Sequence, residues 1–544
     1  MDTLDEEKSS RYLDAVRQFG DVVLTEGRDH WGPSSTPLFV DGIAVDTREP
    51  VTWQVSGEQW ILSNLGSQQI LFRTLQGLSR LSGQSTYQEA CQAAWDYAFC
   101  HLRHGHLLSL GGHMAFDLGS KRTVYAPDKG PVHELKCHYP DYEFMWSVSA
   151  THTTEYIDAM WEGHVKDWDR LEFSRHGLPV EPSLGHGVWD RPYGHLPVFF
   201  TAQGLTFINA GSDLIYAGAM LTALSGDEAP LVWAERLAQR YVEARHPATG
   251  LAGYQFSRSV LPGPRGRGDR AEAQFGAQLA PYQPTEATVV VARQIRTILG
   301  RAAINKLLLA ERLGLSGEGL AQIAVEDLLA YARYAYDSED NRFHPIMTNG
   351  MRLTGLRLDR DGYYGRQGMV LTPMTADFLM LWAYCLAYQF SPQPQLWAVA
   401  RQMAKANGLG DIGPTAEDLS GPMLAAGIEV SDPLAIFCLL TLYATTNQQA
   451  FLDQAQAVGD NILNHRWHRG LFLPSRHHRW AKFDALEPLA LIHLVAYMQR
   501  CPQQVPKYWA SSAFFGSLYA DLGHKIDNSW WYDQVEKARD RVGD

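Results

Sequence analysis

The 544-residue chain is 45% hydrophobic and 11% aromatic and carries a formal net charge of −13. That is enough apolar material to bury a large core, and the charge argues against non-specific nucleic-acid binding. No apolar run is long enough to cross a membrane.

From the N-terminus, Met1 to Ser10 is acidic and polar and lacks the apolar segment of a secretory signal. Six cysteines, Cys91, Cys100, Cys137, Cys385, Cys438 and Cys501, are scattered without a C-x-x-C pair. Together these features predict reduced thiols and a cytoplasmic location. Thr86 and Glu89 form a capping-box signature. Behind them Cys91, Ala94, Trp95, Ala98, Phe99 and Leu102 recur at helical spacing until Gly105. Between about 105 and 150 the pattern shifts to short alternating runs with glycine and proline turns, such as Thr123-Val-Tyr-Ala and Tyr142-Glu-Phe-Met-Trp-Ser-Val, which predicts a β-rich insertion. A second helical stripe follows at Ile157, Met160, Trp161, His164, Val165 and Trp168. Further helical stretches are predicted around 212–246, 286–314, 321–336, 373–390, 395–406 and 447–466. Asp432-Pro433 opens another helix with a cap followed by proline at its first position.

A loose internal repeat says how these helices are arranged. Tyr241 to Leu251 followed by Tyr254-Gln-Phe-Ser resembles Leu463 to Leu471 followed by Phe472-Leu-Pro-Ser, and Tyr334 to Phe343 is similar. Each is a helix end, a polar turn and a short extended piece. This is the texture of stacked helical hairpins, none of which buries its apolar face alone. The predicted class is mainly α, an α/α toroid with a small β-rich insertion.

Three segments carry candidate chemistry. His113 lies in Leu110-Gly-Gly-His-Met-Ala-Phe116, Glu134 in Pro131-Val-His-Glu-Leu-Lys136, and Arg175-His176 in Glu172-Phe-Ser-Arg-His-Gly177. Two neutral imidazoles and one carboxylate can hold a divalent metal and leave coordination positions open. The arginine can reach the same ligand. Nine of the twenty histidines lie between His101 and His176, so other ligand sets can be assembled. His104, His106, His133 and His138 are assigned instead to ordinary hydrogen-bonded positions.

In their order and separations these segments resemble the family-2 polysaccharide lyases, which are metal-dependent pectate lyases, and the resemblance runs from about residue 10 to the C-terminus. It implies a seven-hairpin α/α barrel forming one catalytic domain over 1–544, with the arm at about 105–150 supplying part of the metal site. It implies that His113, Glu134 and His176 are metal ligands and that the adjacent Arg175 is the base. The donor set suits manganese, with cobalt or nickel as substitutes. The implied substrate is an α-1,4-linked oligo- or polygalacturonate. The cytoplasmic branch of the family acts from chain ends, which implies release of unsaturated digalacturonate, a pectate disaccharide-lyase activity.

The chemistry has a physical logic. β-Elimination removes the C5 proton alpha to the C6 carboxylate, a poor electron sink unless a cation neutralises it. Free guanidinium has a pKa above about 12, so a basic Arg175 needs nearby positive charge and desolvation. The other role for Arg175 is a bidentate clamp on a substrate carboxylate. A net-negative lyase must also gather cations locally. The loop from Ser257 to Arg270, with Arg258, Arg265, Arg267 and Arg270, is a candidate for this, or else a solvated flexible loop. Tyr363-Tyr364 is a loop-like pair suited to contacting sugar or protonating the departing oxygen. Two alternatives stand beside the lyase. One is a metal-independent α/α-barrel glycoside hydrolase or sugar epimerase, which needs a carboxylate pair or a histidine acid/base pair. The other is a non-catalytic oligouronide-binding protein.

Overall fold

The computed structural model describes residues 3–55, 58–110, 114–125, 131–178, 187–196, 207–253, 289–290, 294–359, 367–418, 421–474, 478, 480–511, 518–519 and 525–526. The chain divides into two compact units, one of residues 1–159, 178–181 and 426–544, the other of 160–177 and 182–425. The described helices are, in chain order, α1 (Thr3–Glu26), α2 (Gln69–Ser82), α3 (Thr86–His101), α4 (Tyr142–Val148), α5 (Ala150–His164), α6 (Ile208–Ser225), α7 (Ala229–Glu243), α8 (Gln294–Leu313), α9 (Glu318–Tyr334), α10 (Phe378–Phe390), α11 (Pro394–Ala406), α12 (Pro433–Thr446), α13 (Gln449–His465) and α14 (Glu487–Met498). The fold is mainly α, as expected.

In the second unit, α6, α8 and α10 pack side by side, and each is paired with the helix that follows it, α7, α9 or α11. The first unit repeats the scheme. α12 pairs with α13, α2 with α3 and α14 with α1, while α14 packs between α12 and α2. The two rows differ in sequence for a physical reason. α10 is buried continuously from Phe378 to Tyr388, whereas α7 buries the stripe Leu231, Ala234, Leu237, Ala238 and Tyr241. A helix covered on all sides has no need of a polar face, and one covered on a single side keeps it. Short links join α6 to α7 and α12 to α13, with Gly226 (φ 79°) ending α6 and Asn447 (φ 55°) ending α12 in the left-handed conformation.

The predicted repeat is a structural one. After α9, Tyr336–Asp337 pairs antiparallel with Arg342–Phe343, and after α13, Trp467–His468 pairs with Leu471–Phe472. The same device follows α3, where Arg103–His104 pairs with Leu107–Leu108, and α5, where Val165–Asp167 pairs with Glu172–Phe173. Each turn needs a left-handed residue, supplied by Gly105, Leu171, Asn341 and Arg469.

Several expectations are corrected. Tyr142–Val148 is helix and not strand, because the buried residues Asp141, Tyr142, Phe144 and Met145 follow a helical face. The stripe from Ile157 to Trp168 leaves helix at His164 and enters a strand. Val289–Val290 is a strand paired with Ile346–Met347, and α8 begins only at Gln294. α3 is preceded by Ser85 with no side-chain cap hydrogen bond, so Thr86 and Glu89 do not form a capping box. The β-rich insertion does contain strands, Met114–Asp117 and Arg122–Tyr125. They complete an antiparallel four-stranded sheet whose other half, Thr52–Val55 and Glu58–Ser63, comes from outside it.

The Asp432 cap is present, with the carboxylate accepting from the Leu434 amide at 2.9 Å. Asp432→Ala is expected to cost about 1 kcal/mol, seen as a lower denaturant midpoint. An unchanged midpoint would show that the cap adds nothing there.

Candidate active site

Glu134 sits in the short strand His133–Glu134 of the first unit and is fully buried. A carboxylate in such a place keeps its charge only beside a cation. The Lys136 ammonium is 3.0 Å from Glu134 Oε1, and its own side chain is 9% exposed. His133, next in the chain, is buried, and its Nε2 is 3.0 Å from the Tyr156 hydroxyl. Burial pushes the His133 imidazole down to about 3, with His138 lowering it further and Glu134 opposing.

The turn that follows is strained. Cys137 and Tyr139 both adopt left-handed backbone (φ 57° and 43°), a conformation that persists only where surroundings enforce it. The enforcement comes from α2. Arg73 Nη2 donates to the Tyr139 carbonyl at 2.8 Å, the Asp141 amide donates to Gln69 Oε1 at 2.8 Å, and Gln76 Nε2 donates to Asp141 Oδ2 at 2.9 Å. A continuously buried helix thus fixes the backbone just past Glu134.

Arg175 and His176 belong to the second unit, where the end of α5 holds them. The Ser174 amide donates to the His164 carbonyl at 2.9 Å, and the His164 Nδ1–H donates back to the Ser174 carbonyl at 2.6 Å. The His176 amide donates to Ser174 Oγ at 3.2 Å. Arg175 and His176 are half-buried. The Arg175 guanidinium carbon lies 5.5 Å from the centroid of the buried Phe207 ring, within the range of a cation–π contact.

The structure therefore holds Arg175 and His176 together on one pinned segment and gives Glu134 a buried cationic neighbour. His113, Arg258, Arg265, Arg267, Arg270, Tyr363 and Tyr364 lie outside the described residues, as does Tyr254-Gln-Phe-Ser. Among the described residues no group of three or more His, Cys, Asp or Glu stands at metal-holding distances. The donors that are described fit a divalent cation chemically. Glu134 is a buried carboxylate and His176 a half-buried imidazole, both donor types that first-row divalent ions accept. The four histidines set aside in the sequence lie in different surroundings. His104 Nε2 is 2.6 Å from the Tyr125 hydroxyl and His106 Nδ1 is 3.3 Å from Glu155, while His133 and His138 are buried.

Two residues near the site were missed. Lys136 had a signal, since position i+2 of an extended segment shares a side with Glu134. His164 had none, because in sequence it is one more member of an apolar stripe.

Comparison with known proteins adds three kinds of finding. The Pectate_lyase_2 family model, described as "Periplasmic pectate lyase", matches residues 36–517. The pectate disaccharide-lyase of Dickeya dadantii (strain 3937) is 29% identical over 532 residues, 93% of this chain and 92% of that protein. Similar solved structures include a family 76 glycoside hydrolase from a bovine Bacteroides thetaiotaomicron strain (TM-score 0.41, 12% identity, 89% of this chain and 77% of that one). The cellobiose 2-epimerase of Bacillus thermoamylovorans B4167 is another (TM-score 0.40, 9% identity, 90% of this chain and 100% of that one).

Proposed function

The chain belongs to the Pectate_lyase_2 family, a polysaccharide lyase acting on pectate, and from that premise we propose that it is an exo-acting pectate disaccharide-lyase that releases unsaturated digalacturonate by metal-assisted β-elimination. The observation that carries the reading is the Arg175-His176 pair, a guanidinium and an imidazole on adjacent residues of one pinned segment. The activity named for the Dickeya relative supports the disaccharide product. In this proposal the whole chain acts as one catalytic body. All six cysteines are free, which supports a reducing, cytoplasmic location.

His113, Glu134 and His176 would hold a divalent cation, most simply manganese, with cobalt or nickel as substitutes. When bound, the metal neutralises the C6 carboxylate and so makes the C5 proton acidic. Arg175, in its neutral form, takes that proton. The C5–H electron pair forms the C4–C5 double bond, and the C4–O bond breaks with its electrons leaving on the oxygen. The Phe207 ring, 5.5 Å from the guanidinium carbon, would help hold that group in place. Lys136 holds Glu134 charged and oriented, as a ligand must be. Arg258, Tyr363 and Tyr364 are proposed to contact the oligouronide, one of the tyrosines protonating the departing oxygen.

Incubation with polygalacturonate and manganese should produce the ultraviolet absorbance of the conjugated double bond. Exhaustive chelation should abolish it, and manganese, cobalt or nickel should restore it. Full turnover in chelator would overturn the metal requirement. On size analysis the first product should be the unsaturated dimer, and early products spread over many lengths would overturn the exo mode.

A further inference from the structure

His164 makes two kinds of contact with the segment that carries Arg175 and His176. Its Nδ1–H and its carbonyl form a reciprocal hydrogen-bond pair with Ser174, at 2.6 and 2.9 Å. Its ring also lies against Gly177. A Cβ added there would come within 2.8 Å of Nε2, Cδ2 and Cε1 of the imidazole, closer than real carbon contacts allow. The ring is fully buried, and Gly177 has strand geometry, so the glycine is present for space and not for backbone freedom. Ser174 and Gly177 bracket Arg175-His176, and one imidazole grips both brackets.

We propose that His164 is a positioning residue for the Arg175-His176 pair: it sets where the guanidinium and the imidazole stand by clamping the residues on either side. The functional part rests on the lyase reading above. The clamp itself rests on geometry alone. A contact of this kind fixes direction as well as position, and a misplacement of about 1 Å can cost about 10²-fold in rate. Outer contacts that orient a metal ligand are worth about 10–100-fold in metal affinity.

The experiment uses the full-length chain in five forms: unaltered, His164→Ala, His164→Asn, Gly177→Ala, and His164→Ala with Gly177→Ala. Asparagine places an N–H near the position of Nδ1, so His164→Asn keeps the bond to Ser174 and should retain most of kcat. His164→Ala should lower kcat on oligogalacturonide about 10²-fold with KM changed little, and manganese affinity by calorimetry should fall about 10-fold or more. Gly177→Ala should be as damaging alone, because the methyl meets the ring. In the His164→Ala background it should cause little further loss, since the ring is gone. Hydrogen exchange of the peptide spanning 173–178 should accelerate in His164→Ala and less so in His164→Asn, which keeps the Ser174 bond and loses the ring against Gly177. Unchanged exchange in His164→Ala, or fully additive effects of the two substitutions, would overturn the clamp. If Gly177→Ala fails to fold, the comparison of His164→Asn with His164→Ala decides. If the unaltered chain makes no unsaturated product, the lyase reading fails while hydrogen exchange still judges the clamp.

Discussion

Arg175→Ala is expected to lower kcat and kcat/KM together by about 10²–10⁴-fold, the range for loss of a general base, while manganese affinity stays nearly intact. The two losses move together because a proton acceptor acts in the transition state and contributes little to ground-state binding. A clamp on the substrate carboxylate would behave differently. Its loss would fall mainly on KM, by about 1.5–3 kcal/mol for a hydrogen bond to a charged group. Arg175→Lys separates the roles further. Lysine keeps the charge, and its neutral amine is easier to reach, but it lacks the planar fork. As a base it should leave weak activity with a displaced alkaline limb in the pH profile. Near-normal kcat in Arg175→Ala at saturating oligogalacturonide would remove Arg175 from the proton transfer. Tyr363, Tyr364 and lysines would then be the candidates.

The second large effect concerns stability. Glu134→Ala should destabilise the metal-free protein by about 3–5 kcal/mol, the cost of removing one partner from a buried ion pair. The Lys136 ammonium would remain 9% exposed and lose the carboxylate 3.0 Å away. Replacing the pair as Glu134→Leu with Lys136→Met should recover most of that loss, because two apolar groups of similar volume replace two buried charges. Activity should not return with stability, since the double variant still lacks a proposed ligand. Denaturant unfolding in chelator measures the first quantity and turnover in manganese the second. If Glu134→Ala unfolds at the same denaturant concentration as the unaltered chain, the ion pair contributes nothing to the fold.

What the sequence makes legible follows from where period and chemistry coincide. α9, α11 and α13 are amphipathic, so their positions stand out, and the α12 start stands out because Asp432-Pro433 combines a cap with a fixed φ. α14 escapes the same approach because it is buried almost throughout and has no polar face to set a period. α1 is legible after the fact, with Tyr12, Val16, Phe19 and Val23 on one face. The hairpin after α5 is hidden because Leu171 adopts left-handed backbone without being glycine. At the site, Glu134, Arg175 and His176 come from residue types and family resemblance. The roles of Lys136 and His164 depend on contacts that only folding creates. Arg73, lying 66 residues before the carbonyl it holds, carries no local signal at all.

The first unit is discontinuous, built from residues 1–159 and again from 426 onward, and this sets a timetable for biosynthesis. When the ribosome has delivered α1, α2 and α3, the helices that pack on α1 and α2 from the far end of the chain, α13 and α14, do not yet exist. At about 5–20 residues per second, the roughly 270 intervening residues take on the order of 15–50 s to emerge. Throughout that interval Ile70, Leu71, Phe72, Leu75 and Leu78 of α2 lack the α14 surface that finally buries them. The second unit, nearly contiguous in the chain, can meanwhile complete its three helix pairs as they leave the exit tunnel. A nascent chain stalled once residue 425 has left the exit tunnel should therefore protect α6 to α11 from protease while α1 to α3 are cut.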